Sequence, residues 1–217
     1  VIRNLSGANI ITGAVTASSN TRINADAGSL TLNTAATGIA LGSNLINFGV
    51  ATGTTMTVSN IISGAAAASS LTVTKDGVGA LVLGGANTYT GITTISAGVI
   101  QATNGAALGS TTGVTTVETG AALEINGAIT IAEAITINGT GLAATPGAIR
   151  IISGSGAATL SGLITVATAS RINSDAATNA LTIGTGGVTN TGGLSFGIST
   201  SGNIVVSSVV SGFEGII

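Results

Sequence analysis

The sequence contains no cysteine, no histidine and no tryptophan, and it has a single proline. Without cysteine, disulfide bonds cannot stabilise the fold. Without histidine, the usual general base for a serine or cysteine nucleophile is missing. Charged residues make up 6% of the 217 residues, against about a quarter in ordinary domains, and aromatic residues make up 2%. These absences exclude a disulfide framework and argue against catalytic triads.

The few charges are spread along the chain. The basic residues form no cluster, which argues against binding to nucleic acid; they are Arg3, Arg22, Lys75, Arg150 and Arg171. Hydrophobic residues make up 44% of the chain. However, Gly, Thr, Ser or Asn interrupts every apolar run well short of the ~20 residues of a transmembrane helix. We therefore expect no membrane span in this segment, and the aliphatic content argues against disorder.

Short strand-like segments follow one another along the chain. In segments such as "LTVT" from Leu71, "LEIN" from Leu123 and "ITIN" from Ile135, apolar residues recur two apart, which is the period of a strand with one buried face. The 34 glycines and pairs such as Asn104-Gly105 separate these segments and predict tight corners. No segment shows a sustained helical period.

The chain also repeats itself over a long interval. "VIRNLSGANIITGAVTASSNTRINAD" at the start is similar to "AIRIISGSGAATLSGLITVATASRINSD" from Ala148. The match places Arg3 147 residues before Arg150, and Arg22 149 residues before Arg171. The later segments "NFGVATGTTMTVSNIISG" and "SFGISTSGNIVVSSVVSG" continue it. The sequence therefore predicts a repeating unit of about 148 residues.

We predict that residues 1–217 form a single continuous domain, cut as a window from a longer array. The first unit would span residues 1–147, and residues 148–217 would begin the next. The start at Val1, with neither a Met nor a signal peptide, is expected for such a window. A short protein with one partial duplication is the alternative.

Many short strands are typical of a sandwich, a barrel or a solenoid, and the repetition favours the solenoid. We predict an all-β, right-handed parallel β-helix with roughly 20 residues per coil, about ten coils and a length near ~50 Å. Gly and Asn would form the corners because they adopt positive φ at low cost. The residues predicted to point inward are Leu71, Val73, Leu81, Leu83, Ile95, Ile100, Leu123, Ile125, Ile129, Ile131, Ile135 and Ile137.

One stretch carries a family resemblance. Residues 75–110, "KDGVGALVLGGANTYTGITTISAGVIQATNGAALGS", contain a Lys and Gly lead-in, a Leu-x-Leu strand at Leu81 and Leu83, Gly-x-Asn-Thr-Tyr-Thr-Gly, Thr-Thr-Ile, and a closing Leu108-Gly109. This stretch resembles the passenger-associated transport repeat of bacterial autotransporters, although it occurs only once here. The resemblance implies a secreted right-handed β-helix outside the cell. It implies no particular activity, because such passengers include adhesins, proteases and esterases.

The reactive residues have simpler structural explanations. Lys75 could replace histidine as a base, but it adjoins Asp76 in a turn and predicts a solvated ion pair. Glu118, Glu124 and Glu133 are separated by 6 and 9 residues, which does not match a coil, so we expect them on solvated faces rather than stacked as in a glycosidase. Calcium-binding nonapeptides are absent, and "GTGG" lacks the helix of a phosphate loop. We predict no catalytic, cofactor-binding or metal-binding residues.

Two further patterns remain. The motif "RIN-x-D" pairs Arg22 with Asp26 and Arg171 with Asp175, and it predicts a repeated corner salt bridge worth about 0–1 kcal/mol. The alternative is a contact point used once per unit along a fibre. The aromatic residues are too few for a sugar-stacking platform, and we expect them to pack in the core or as caps. They are Phe48, Tyr89, Phe196 and Phe213.

Three classes of function remain open. The expected one is a structural stalk, adhesin shaft or fibre segment without catalytic activity, outside the cell. Its expected partners are further copies or repeats stacked end to end, with a host or neighbouring-cell surface as a further candidate. The second is a fragment of a β-helical carbohydrate-active enzyme with catalytic residues elsewhere. The third is a Thr-rich face that binds glycan or ice, which would require Thr residues aligned in two columns over many coils.

Overall fold

The structure of the chain is a computed structural model. It describes residues 1–33, 38–64, 71–74, 79–152, 156–175, 180–198 and 203–212. Within these residues every element is a β-strand, and every pair of strands is parallel. The strands stack into a β-solenoid, so the predicted β-helical fold is confirmed. No helix long and apolar enough to cross a membrane occurs in the described part of the chain.

The solenoid has three faces, and each coil contributes one short segment to each of them. Face A is a ten-stranded sheet. In stacking order it contains β1 (Ile2–Asn4), β4 (Thr21–Ala25), β7 (Ile46–Val50), β10 (Leu71–Thr74), β12 (Thr93–Ile95), β14 (Val114–Val117), β17 (Ala134–Ile137), β20 (Ile164–Val166), β23 (Val188–Asn190) and β26 (Val210–Ser211).

Face B is a nine-stranded sheet whose strands follow those of face A along the chain. It contains β2 (Ala8–Ile11), β5 (Ser29–Leu32), β8 (Thr55–Val58), β11 (Ala80–Leu83), β13 (Gly98–Ala102), β15 (Ala121–Ile125), β18 (Ile149–Ile151), β21 (Ser170–Ser174) and β24 (Leu194–Ile198).

Face C follows face B along the chain and consists of two smaller sheets. The first contains β3 (Val15–Thr16), β6 (Ile39–Ala40) and β9 (Ile62–Ser63). The second contains β16 (Thr130–Ile131), β19 (Ala158–Leu160), β22 (Ala180–Ile183) and β25 (Asn203–Val206). The two coils between these sheets are the ones that carry the transport-repeat motif, and they cross face C without regular strands.

Backbone stacking continues through this interruption of face C. The Thr88 amide donates to the Ile62 carbonyl at 3.0 Å, and the Ser110 amide donates to the Tyr89 carbonyl at 2.9 Å. The motif coils therefore stack on their neighbours even where they form no strand.

Coil length varies more than the sequence predicted. Along face A, Val117 pairs in register with Ile137, and Ile137 pairs in turn with Val166, so the second of these coils is nearly half as long again as the first. The predicted coil length therefore applies only to the shortest coils. The additional residues of the longest coil include the segment between β17 and β18, where Gly141 and Pro146 form an isolated antiparallel bridge.

Apolar side chains from all three faces fill the interior. Of the residues predicted to point inward, Leu81, Leu83, Ile95, Ile100, Leu123, Ile125, Ile131, Ile135 and Ile137 are at most 1% exposed, which confirms the predicted faces. Ile129 is only partly buried, because it precedes β16 at a corner. The side chains of Leu71 and Val73 lie outside the described residues. Ile92, which directly precedes β12, points outward and is 54% exposed.

Residues that match between the two sequence repeats lie on different faces. Arg3 is on β1 of face A, whereas its counterpart Arg150 is on β18 of face B. Likewise, Arg22 is on β4 of face A and Arg171 is on β21 of face B. Strand β17 is the seventh strand of face A, and β18 follows it, so matching positions are six coils and one face apart. The second repeat is therefore rotated about the solenoid axis by one third of a coil relative to the first.

Candidate functional site

The transport-repeat motif has a tyrosine at the centre of its core. Tyr89 is fully buried, and its hydroxyl lies 2.7 Å from Thr93 Oγ1. Thr93 Oγ1 donates to the Leu108 carbonyl at 3.0 Å, so its single hydrogen is used and Tyr89 is the donor to Thr93. Burial raises the pKa of Tyr89, and the phenol therefore stays neutral.

Two other motif residues connect coils around this tyrosine. The Ile62 amide of the preceding coil donates to Asn87 Oδ1 at 2.8 Å, and Asn87 Nδ2 donates to the Ala107 carbonyl at 2.5 Å in the following coil. Gly109 has φ +102°, and a Cβ there would lie 2.6 Å from Tyr89 Cε2. The Asn, the Tyr and the closing Gly of the motif therefore form one packing unit.

A buried carboxyl group lies close to this unit. Glu133 is 3% exposed, and its Oε1 accepts a hydrogen bond from Thr115 Oγ1 at 3.0 Å. Thr115 pairs in register with Thr93, which links the carboxyl to the tyrosine cluster. Glu133 Oε2 has no hydrogen-bond partner. Burial raises the pKa of Glu133 to about 8, and the Thr115 bond only partly offsets this.

The prediction that all three central glutamates lie on solvated faces is therefore wrong for Glu133. This residue occupies the corner between β16 and β17, where the chain turns its side chain inward. Glu118 is exposed, as expected. Glu124 points outward, but it is half-buried under a neighbouring arginine. The three carboxylates do not converge in one groove.

Arg150 stacks between two carboxylates on face B. Its Nη1 lies 2.6 Å from Glu124 Oε1, and its Nε and Nη2 both contact Asp175 Oδ2. Burial alone would lower the pKa of Arg150, but the hydrogen bond to Asp175 and the charges of both carboxylates outweigh it and raise the pKa. An open recess of about 290 Å³ lies beside this cluster, against Thr145 and Pro146.

The predicted corner salt bridges have different partners in the structure. Asp175 pairs with Arg150 of the preceding coil, while Arg171 Nη2 donates to Asn173 Oδ1 at 3.2 Å. In the first unit Asp26 pairs with Arg3 of the preceding coil at 2.7 Å.

In both units, the arginine of the "RIN-x-D" motif donates to the asparagine two residues later. Arg22 Nε donates to Asn24 Oδ1 at 2.7 Å, just as Arg171 donates to Asn173. In each unit the observed ion pair connects two coils because parallel stacking brings the aspartate beside an arginine one coil away.

The aromatic predictions are partly confirmed. Phe48 and Tyr89 are fully buried in the core. Phe196 pairs with the core residue Ile172 and has an inward register, yet it is 42% exposed. Strand β10 covers Phe48, whereas no described strand stacks on β24, which explains the exposure of Phe196. Phe213 lies outside the described residues.

Face A carries an outward column of threonines. Thr94, Thr116, Thr136, Thr165 and Thr189 pair in register over five successive coils, Ser211 follows, and Thr72 holds the same register position one coil earlier. Each side chain from residue 94 to residue 189 in this column is half-exposed, between buried neighbours.

A second outward column, two residues earlier on face A, is apolar. Each of its members lies two residues before a member of the threonine column. They are Ile92, Val114, Ala134, Leu163, Gly187 and Val209. Ile92, Leu163 and Val209 are 54%, 41% and 78% exposed. Face A thus carries one aligned threonine column beside an apolar column, and a shorter column of Thr130, Thr159 and Thr182 lies on face C.

Among the residues that the structure describes, the reactive side chains considered above are spread over different faces and corners of the solenoid. No group of three Asp, Glu, His or Cys residues suited to a metal ion occurs among the residues that the structure describes. Lys75 and Asp76 lie outside the described residues. The Gly184 segment forms a corner between β22 and β23 and is followed by a strand, not by a helix.

Comparison with known proteins supports the family resemblance. Residues 73–102 match the family model described as the passenger-associated-transport-repeat. This match covers β11, β12 and β13 together with the coil around Tyr89. No curated protein and no solved structure matches the chain. The repeat and the β-solenoid fold together fit a segment of an autotransporter passenger.

Proposed function

We propose that this chain is a structural segment of an extracellular stalk, adhesin shaft or fibre, without catalytic activity of its own. Its role would be to extend a rigid rod from the cell surface through continued stacking of coils. The observation that carries this proposal is the unbroken parallel ladder of face A from β1 to β26.

The chemistry of the surface supports a passive role. The chain has 12 charged residues and no histidine. The best-organised charged cluster, around Arg150, is internally paired and has no evident group left for catalysis. A transport repeat of the matched family implies presentation outside the cell, which agrees with a neutral, hydroxyl-rich surface.

The first and last coils support stacking on further repeats or further copies. The core residues that remain only partly buried belong, apart from Ile129, to the first or last coils; they are Ile2, Ile11, Val15, Leu194, Ile204, Val206 and Val210. Phe196 has a core register but an exposed ring. An additional rung would bury this apolar surface and pair the open strand edges, which otherwise recruit other chains.

Sedimentation of the 217-residue chain over a range of concentrations tests the stacking. We expect association that weakens in Phe196→Glu, because the substitution places a charge on the end rung. Val114→Glu is the matched control, since Val114 is 37% exposed but lies on the side of the solenoid. A chain that stays monomeric at all concentrations, or equal effects of the two variants, would contradict stacking through the end rung.

Surface labelling tests the location. In the bacterium that produces the protein, an antibody against this segment should bind intact cells. Binding only after permeabilisation would rule out a surface stalk.

A further inference from the structure

The apolar column of face A is interrupted by a recess. Gly187 holds the column position between Leu163 and Val209, so a gap opens between two protruding aliphatic side chains. The recess has a volume of about 380 Å³, within the ~300–1,000 Å³ range of small-ligand sites. Gly187 has φ +72°, and a Cβ there would lie 2.7 Å from the Val209 carbonyl oxygen, so the backbone itself keeps the position without a side chain.

Exposed aliphatic groups flank the recess. Leu163 is 41% exposed on one side, and Val209 is 78% exposed on the other. A ligand that covered both of them would remove apolar area from water. These two side chains therefore favour a ligand with an apolar face.

Hydroxyl groups surround the same recess. Thr189 and Ser211, from the threonine column, lie along one edge, and Thr185, Ser207 and Ser208 lie along the others. None of the described residues that line the recess carries a formal charge.

We propose that this recess is a binding site for a neutral carbohydrate chain, with one pyranose ring seated over Gly187. The C–H face of the ring would pack between Leu163 and Val209, and its hydroxyl groups would bond to Thr189 and Ser211. The remaining rings would follow the threonine column, which offers a hydroxyl on every rung, about 4.8 Å apart. This site goes beyond the stalk role, which does not require a ligand.

The shape and charge of the face distinguish this ligand from two others. An ice lattice requires a flat surface, whereas the column alternates protruding residues such as Leu163 with the small residues Ala134 and Gly187. An acidic sugar requires a cation at its carboxylate, and none of the described residues that line the recess is cationic. Neutral sugar hydroxyls match the groups that are present.

Isothermal titration of the 217-residue chain with cellohexaose, maltohexaose and mannohexaose tests the proposal, with hexagalacturonate as the acidic probe. We expect at least one neutral hexasaccharide to bind. Thr189→Val should weaken that binding roughly three- to tenfold, because one hydrogen bond is lost while the shape is kept. Leu163→Ala should weaken it several-fold by removing one apolar wall.

Two variants on face C provide matched controls. Thr182→Val removes an outward hydroxyl from β22, the strand directly before the one that carries Thr189. Val205→Ala truncates a side chain that is 39% exposed, close to the exposure of Leu163. Both should leave the affinity unchanged within about twofold, and circular dichroism should show that all four variants are folded.

Four outcomes would overturn the proposal. They are binding to none of the neutral hexasaccharides, binding to hexagalacturonate alone, equal weakening by the face A and face C variants, and inhibition of ice growth without sugar binding. Failure of sugar binding would leave the stacking and surface-labelling results unaffected, so the two proposals stand or fall separately.

Discussion

Gly109 and Tyr89 of the transport-repeat motif pack directly against each other. The Tyr89 ring fills the core of a coil that has no strand on face C, and Gly109 of the next coil lies directly against it. The requirement at position 109 is therefore twofold, since both the positive φ and the space next to the ring exclude a side chain.

Alanine substitutions at two glycines with positive φ separate the conformational requirement from the requirement for space. Gly109→Ala should destabilise the fold by more than the ~1–2 kcal/mol of an L-residue in the left-handed region, because its Cβ would also overlap Tyr89. Gly53→Ala is the control, because Gly53 has φ +73° but open space around it. Chemical denaturation of both variants gives the comparison, and equal losses would show that the Tyr89 contact is unimportant.

The buried carboxyl group of Glu133 makes stability depend on pH. Its pKa is raised from the ordinary 4.5 to about 8, so the folded chain holds a proton that the unfolded chain releases. The stabilisation from this proton is fully present below pH ~4.5, and it is lost as the pH rises towards about 8.

The stability of the chain should therefore decrease as the pH rises. The free energy of unfolding of the native chain should fall between pH 5 and pH 8, on the order of a kcal/mol or more per pH unit. Glu133→Gln, which mimics the neutral acid, should remove most of this slope and should be the more stable chain at pH 9. Parallel pH profiles of thermal unfolding for the two chains would contradict the burial of an acid at this position.

The period of two along the strands was sufficient to predict the inward residues, since nine of the ten predicted positions with described side chains are fully buried. It was not sufficient for Glu133, because the alternation breaks at corners, and the direction of a corner side chain depends on the coil stacked above it.

At the scale of elements, ion pairs connect coils rather than closing corners. In a parallel stack, an outward residue faces its register partner one coil away, and Glu124, Arg150 and Asn173 form such a column on face B. The "RIN-x-D" spacing was visible in the sequence, but its partner was not. Because the coils are so unequal in length, the register stays undetermined until the stacking is known.

A further prediction compares equivalent arginines of the two units. Arg150→Gln should cost about 1–3 kcal/mol, because Glu124 and Asp175 would lose their partner while only 12% and 16% exposed. Arg3→Gln should cost about 0–1 kcal/mol, since Arg3 is 57% exposed beside Asp26. Urea denaturation measures both, and a larger loss in Arg3→Gln would contradict the assignment of Arg150 as the organising cation.

At the scale of the whole molecule, the repeat and the coil are out of phase. One sequence unit spans six coils and one further face, so the Arg150 cluster appears on face B where its counterpart at Arg3 appears on face A. The sequence predicted the repeat and the β-helix. It could not predict the rotation, because that depends on the combined length of six unequal coils. A continued array would present each cluster on a new face with every unit.

Small-angle X-ray scattering of lengthened chains tests the central claim most directly. Residues 1–147 can be repeated two or three times ahead of residues 148–217, because the natural junction already joins equivalent positions. A continuous solenoid predicts that the maximum dimension grows by about 30 Å per added unit, at ~4.8 Å per coil, with an unchanged cross-section. A thicker particle, or the scattering of separate domains on a flexible chain, would contradict the account.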